Sequence, residues 1–181
     1  MGLDMYLTKR FYVGGNWEHR NVTGHIELTC DNTVYAFEAS TISEIIFHVL
    51  DWRKANQIHK WFVKNVQEEI DDCRDYWVSN DQLKTLKEVC QKIIDSSELI
   101  DAKISAGSSC KNGVWTDIIV DGKKIKDPQI AHNLLPTTDG FFFGNTDYDQ
   151  VYYKNVKMTL DKLNELDLDD PTYSYYYYSS W

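Results

Sequence analysis

The sequence predicts a single α+β domain over residues 1–181, a mainly antiparallel sheet with about three longer helices packed on it. Three observations point there. Runs of period two, rich in β-branched and aromatic residues, open and close the chain. Apolar stripes at helical spacing occupy three stretches between them. Strands and helices follow one another without the regular alternation of a parallel βαβ sheet. A chain of 181 residues fits one domain and is long enough to bury a sizeable core.

Leu3, Met5 and Leu7 alternate with Asp4, Tyr6 and Thr8, a strand from almost the first residue to the Gly14-Gly15-Asn16 break. Residues 25–30 and 33–38 are β-rich runs joined by Asp31-Asn32, a hairpin signal. Residues 43–50 read as a strand by their Ile, Phe and Val content. From Arg53 the period turns helical: Ala55, Ile58, His59, Phe62, Val63 and Val66 share one face, ending near Gln67. An acidic loop follows over 68–75, and Tyr76-Trp77-Val78 is a short strand. Ser79 and Gln82 form a capping box for a helix whose buried stripe is Leu83, Leu86, Val89, Cys90, Ile93 and Ile94.

Residues 98–126 read as a possible insertion. It opens on a loop at 106–109 and closes on a hairpin turning at Asp121-Gly122. Asp127-Pro128 starts a short helix that Pro136 stops. Three phenylalanines between Gly140 and Gly144 predict a short strand, and Thr146 or Asp147 starts the last long helix. Residues 173–181 close the chain as an aromatic strand, expected at an edge of the sheet.

Composition excludes more than it selects. The net charge of −9 repels phosphate backbones, so broad nucleic-acid binding is not expected. The same charge suits a basic partner protein, or serves solubility alone. The four cysteines form no CxxC pair, and the histidines show no HxH or HExxH spacing, so neither a metal nor another cofactor is expected. No run approaches the ~18 apolar residues of a membrane span. The N-terminal residues have no signal-peptide pattern either, so a cytoplasmic protein is expected. Neither GxSxG nor SxxK occurs, and no phosphate-binding glycine loop is present.

Residues 51–63, DWRKANQIHKWFV, hold the densest chemistry. At 100° per residue Arg53, Asn56 and Lys60 line a polar flank of the helix, and His59 lies on the seam with the apolar face, near Trp52 in angle. Such a border can hold an anion: an aromatic wall, an arginine fork, an amide and an imidazole. It can equally be a solvated flank with a core histidine beside it. Gly144, Asn145 and Thr146 precede a helix, where backbone N–H groups hold anions, or where an ordinary cap follows a buried strand. The candidate ligand-binding set is therefore Trp52, Arg53, Asn56, His59, Lys60, Gly144, Asn145 and Thr146.

Three stretches together resemble a family of small phage- and prophage-encoded proteins of unassigned function: MGLDMYL at the N-terminus, WRKANxIHxWFV, and GFFFGxTxYD. Leu134-Leu135-Pro136 and the closing Ser179-Ser180-Trp181 fit the same pattern. The resemblance implies a phage accessory protein in the host cytoplasm and implies no activity. Three functions follow as expectations. The first is a binder of a small anionic, nucleotide-like ligand, sequestering a host defence signal. The second is an acidic inhibitor docking on a basic host protein through its tyrosine-rich tail. The third is a small hydrolase or transferase with His59 as acid or base, assisted by Asp4 or Asp147. The oligomeric state is left open.

Overall fold

The computed structural model describes residues 2–140 and 142–181, the side chains of Ser108 and Trp115 excepted. Its strands are β1 (Asp4–Tyr12), β2 (His25–Cys30), β3 (Thr33–Glu38), β4 (Glu44–Arg53), β5 (Tyr76–Val78), β6 (Leu99–Lys111), β7 (Val114–Ile125) and β8 (Tyr173–Ser180). Its helices are α1 (Asn56–Asn65), α2 (Asn80–Ser96), α3 (Gln129–Leu134) and α4 (Gln150–Asn164). The expected α+β class stands: β4-β1-β8-β5 form an antiparallel sheet, and β2-β3 and β6-β7 are separate hairpins.

Alternation along the strands divides the central sheet into two unlike faces. Met5, Leu7, Trp52, Tyr175 and Tyr177 are buried on the inner face. There Tyr177 stacks on Phe62 of α1, centroids 3.9 Å apart, and Trp52 donates its indole N–H to Thr159 of α4 at 2.8 Å. Helix α2 packs on α4 and adds Leu83, Leu86, Cys90 and Ile93 to the same core. Its capping box is present: the Ser79 hydroxyl accepts from the Gln82 N–H at 3.1 Å, and Gln82 Oε1 accepts from the Ser79 N–H at 2.9 Å. Among the described residues the outer-face side chains Tyr6, Arg10, Tyr176 and Tyr178 meet one another, Asp75 and Glu44 rather than a helix.

Several boundaries differ from the sequence reading, each for a local reason. Strand β4 runs on to Arg53, and α1 begins only at Asn56, because Lys54 turns the chain with φ +55°. The supposed loop at 106–109 lies within β6. Asp121-Gly122 is not a turn but lies inside β7; the hairpin turns at Asn112-Gly113, φ +53° and +80°. Gly122 serves packing instead: a Cβ there would meet Ile104 Cδ1 at 2.4 Å. Phe142 and Phe143 lie in a turn rather than a strand, and Phe141 lies outside the described residues. The last long helix starts at Gln150, because Asp149 is its cap and accepts from the N–H groups of Val151 at 2.7 Å and Tyr152 at 3.1 Å. Finally, β8 is no edge strand. It pairs with β1 on one side and β5 on the other.

The hairpin β2-β3 projects from the β1/β4 end of the sheet, where Val13 and Gly14 still donate to the Ser43 carbonyl. Its turn is the expected Asp31-Asn32, φ +47° and +64°. Every residue of β3 is exposed, and only Ile26 of β2 is half-buried.

Candidate functional site

The sequence-predicted set divides in two once folded. Trp52, Asn56 and His59 go inside, while Arg53, Lys60, Gly144, Asn145 and Thr146 stay exposed. Helix α1 and the 142–146 segment, which supply that set between them, touch directly, and Asn56 makes the contact. Its Nδ2 donates to the carbonyls of Phe143 at 3.0 Å and Asn145 at 2.8 Å, and its Oδ1 accepts from the Thr138 N–H at 3.0 Å. An amide with three such partners is a staple. It reads a ligand only by releasing the loop it holds.

His59 is likewise engaged on both nitrogens. Nδ1 lies 2.8 Å from the Tyr177 hydroxyl, and Nε2 lies 2.9 Å from Asp71 Oδ2. Asp71 Oδ1 in turn accepts from the indole N–H of Trp181 at 3.1 Å. A neutral imidazole donating to Asp71 and accepting from Tyr177 satisfies the chain of groups. Phe143 closes the ring edge-on at 5.2 Å. The partner carboxylate is thus Asp71, twelve residues on, rather than Asp4 or Asp147. Nothing in the spacing of the acidic 68–75 loop singles it out.

Arg53 and His59 do not share a pocket: His59 is 1% exposed, whereas the Arg53 side chain is 68% exposed. Arg53 Nε sits a loose 3.8 Å from Asp4 Oδ1. The cation that sequence reading missed is Lys54. A Cβ on Gly144 would lie 3.1 Å from Lys54 Cβ, and one on Gly2 would lie 3.3 Å from Lys54 Cε. Arg53, Lys54, Gly2 and Gly144 therefore form a basic corner on the surface. Asn145 and Thr146 turn inward to the loop: Asn145 Nδ2 donates to Asp149 at 3.2 Å, and the Thr146 carbonyl accepts from the Thr137 hydroxyl at 3.0 Å. Four of the stretches that carry the phage-family resemblance, at the N-terminus, 52–63, 140–149 and the C-terminus, meet near this corner. Leu3 donates to the Phe142 carbonyl, Lys54 donates to the Leu3 carbonyl, and Trp181 lies 6.2 Å from Phe143.

Two other surfaces carry chemistry. On the outer sheet face Tyr6 and Tyr178 stack at 4.6 Å, and the Arg10 guanidinium lies 3.9 Å over the Tyr176 ring while pairing with Asp75. Trp77 beside them is 59% exposed. On the β2-β3 arm, cross-strand register puts Ile26 with Phe37 and Leu28 with Tyr35 on one side. His25 with Glu38 and Glu27 with Ala36 fall on the other. Leu28, Tyr35 and Phe37 are 52%, 48% and 45% exposed. Among the described residues no group of three or more His, Cys, Asp or Glu can hold a metal ion. No helix is long and apolar enough to cross a membrane.

Compared with known proteins, the chain matches no family model, no curated protein and no solved structure. What it does has to follow from its own residues.

Proposed function

We propose that this chain is a non-catalytic protein that docks on another protein of basic surface. In the setting the resemblance implies, it is a phage accessory protein meeting a host factor in the bacterial cytoplasm. The observation that carries this reading is the β2-β3 arm. Its four paired apolar side chains sit on one side of a two-stranded ribbon, three of them about half exposed. A ribbon of two strands buries too little to stabilise itself in water, and a contiguous apolar patch on a surface marks an interaction site. The chain's net charge of −9 speeds encounter with a cationic surface and disfavours nucleic acid. Affinity capture from host lysate tests it, comparing wild type with a Leu28→Ser/Phe37→Ser variant at low and high salt. One defined partner is expected on wild type, weakened by salt and missing from the variant. The same partner on both proteins would remove the arm from the interface.

A second reading is a small anionic, nucleotide-like ligand at the basic corner. It is favoured by the exposed Arg53 and Lys54 side by side between Gly2 and Gly144. Glycine lets a phosphate approach the backbone there, and sequestration of a host signal would be its use. A nucleotide at a hundredfold excess over its Kd then stabilises the fold by about 2.7 kcal/mol. Arg53→Ala/Lys54→Ala loses that stabilisation. No shift with any of a panel of mono-, di- and cyclic nucleotides sets this reading aside.

A further inference from the structure

We infer that the outer face of the central sheet is a docking platform for arginine side chains of a basic peptide segment, received on the Tyr6–Tyr178 pair. The inference rests on the protein-binding reading above and names the chemistry of the partner. It begins from the alternation of β8. Tyr176 and Tyr178 fall on the outer face, with Thr8 and Tyr6 of β1 directly opposite them in register. At the first of these pairs the chain shows the recognition itself. The Arg10 guanidinium lies over the Tyr176 ring, 3.9 Å from its centroid, and Asp75 and Glu44 neutralise it from the rim.

One step along the same face, Tyr178 carries another tyrosine against its ring where Tyr176 carries Arg10. It stacks on Tyr6 at 4.6 Å with ring planes 19° apart. Among the described residues no lysine or arginine lies over either ring. Burial pushes the Tyr178 hydroxyl above its ordinary pKa, and the neighbouring Tyr6, Asp75 and Asp51 push it further, against the opposing pull of Arg10. Asp51 pairs with Tyr6 in register, its carboxylate lies 3.5 Å from His48 Nδ1, and it shares a surface recess with Lys154, Lys157 and Lys162 of α4. A recess of about 500 Å³ opens alongside, lined by Thr8, Arg10, Ile46, His48, Asp75 and Tyr178, with Cys73 at its rim. Tyrosine rings with Asp51 and Asp75 at the margin suit a guanidinium better than an ammonium. The planar group stacks and forks at once, while the ammonium is a compact, strongly hydrated charge. Nucleic acid does not fit, because carboxylates stand where phosphates would run.

The test uses the whole chain and fluorescein-labelled hexa-arginine and hexa-lysine peptides, read by anisotropy at 0.15 M salt. Hexa-arginine is expected to bind about five-fold tighter than hexa-lysine. Tyr178→Ala and Asp51→Asn are each expected to weaken hexa-arginine by about five-fold or more. Glu88→Gln removes one charge from α2, on the helical side of the molecule, and is expected to leave binding unchanged. The Leu28→Ser/Phe37→Ser variant keeps full arginine binding, so failure of the arm and failure of the platform are separable. Equal affinity for the two peptides, or an equal loss in Glu88→Gln, means that net charge alone attracts the peptide and overturns the platform.

Discussion

Tyr177 and Tyr178 are neighbours in the chain and live on opposite faces of one sheet. Tyr177 is closed in by Phe62, Trp52 and His59, with its hydroxyl on the imidazole. Tyr178 is stacked on Tyr6 on the outer side. The same alternation separates Tyr175 from Tyr176. One residue type thus does two jobs in one strand, and the pleat decides which: the inner tyrosines hold the helices, and the outer ones have ring faces to offer. The contrast extends to charged and polar residues. Asn56 and His59 looked like ligand groups in the sequence and are committed to the fold. Arg53 and Lys54, next to them, are not.

The largest effect expected from this contrast is on Tyr177. Tyr177→Ala removes a fully buried ring and the partner of His59 Nδ1, and should cost roughly 3–5 kcal/mol in urea unfolding. Asn56→Ala comes next. It leaves two carbonyls and one N–H of the 138–145 segment without their partner, which should cost about 2–4 kcal/mol. Amide exchange should speed up in that segment first. A third prediction concerns alkaline pH. Burial raises the Tyr177 and Tyr152 hydroxyls above their ordinary value and pushes the Cys90 thiol up to about 12. Groups raised in the folded state favour folding fully below their unfolded pKa, roughly 8.5 for cysteine and 10 for tyrosine, and that contribution falls as pH rises toward the folded values. The urea midpoint should therefore decline above about pH 9. Tyr177→Phe should flatten the decline, and Tyr178→Phe, whose hydroxyl is raised less, should flatten it less. The smallest stability effect belongs to the arm. Leu28→Ser/Phe37→Ser should stay within about 0.5 kcal/mol of wild type, since both side chains already face solvent.

Much of the fold was legible because its signals are local. A period-two run placed β1, β-rich runs around Asp31-Asn32 placed β2 and β3, and the capping box placed the start of α2 to the residue. The misread places are those where tertiary contact overrides a local rule. Asp121-Gly122 has turn chemistry, yet the glycine is there because Ile104 needs the space. The 142–143 segment has strand composition, yet Leu3 takes the Phe142 carbonyl and Asn56 the Phe143 carbonyl, and the chain turns there. The site was half legible. Helical spacing brought Asn56 and His59 to one seam, but only the folded chain shows Asn56 bonded straight to Phe143 and Asn145 with no room left between. Spacing does not say how many partners a side chain finds, so it could not show that Asp71, Tyr177 and Thr138 would use those groups up. Lys54 was passed over because only the folded chain shows its left-handed turn between two glycines.

Hydrogen exchange of the chain, free and bound to its captured partner, measures most directly which surface works. Docking through the bare surfaces predicts added protection at 25–38 on the arm and at 176–178 on the outer sheet face, with 52–60 and 142–146 unchanged. Protection confined to 52–60 and 142–146, with the arm exchanging as in the free protein, would contradict it and return the function to the basic corner at Arg53 and Lys54.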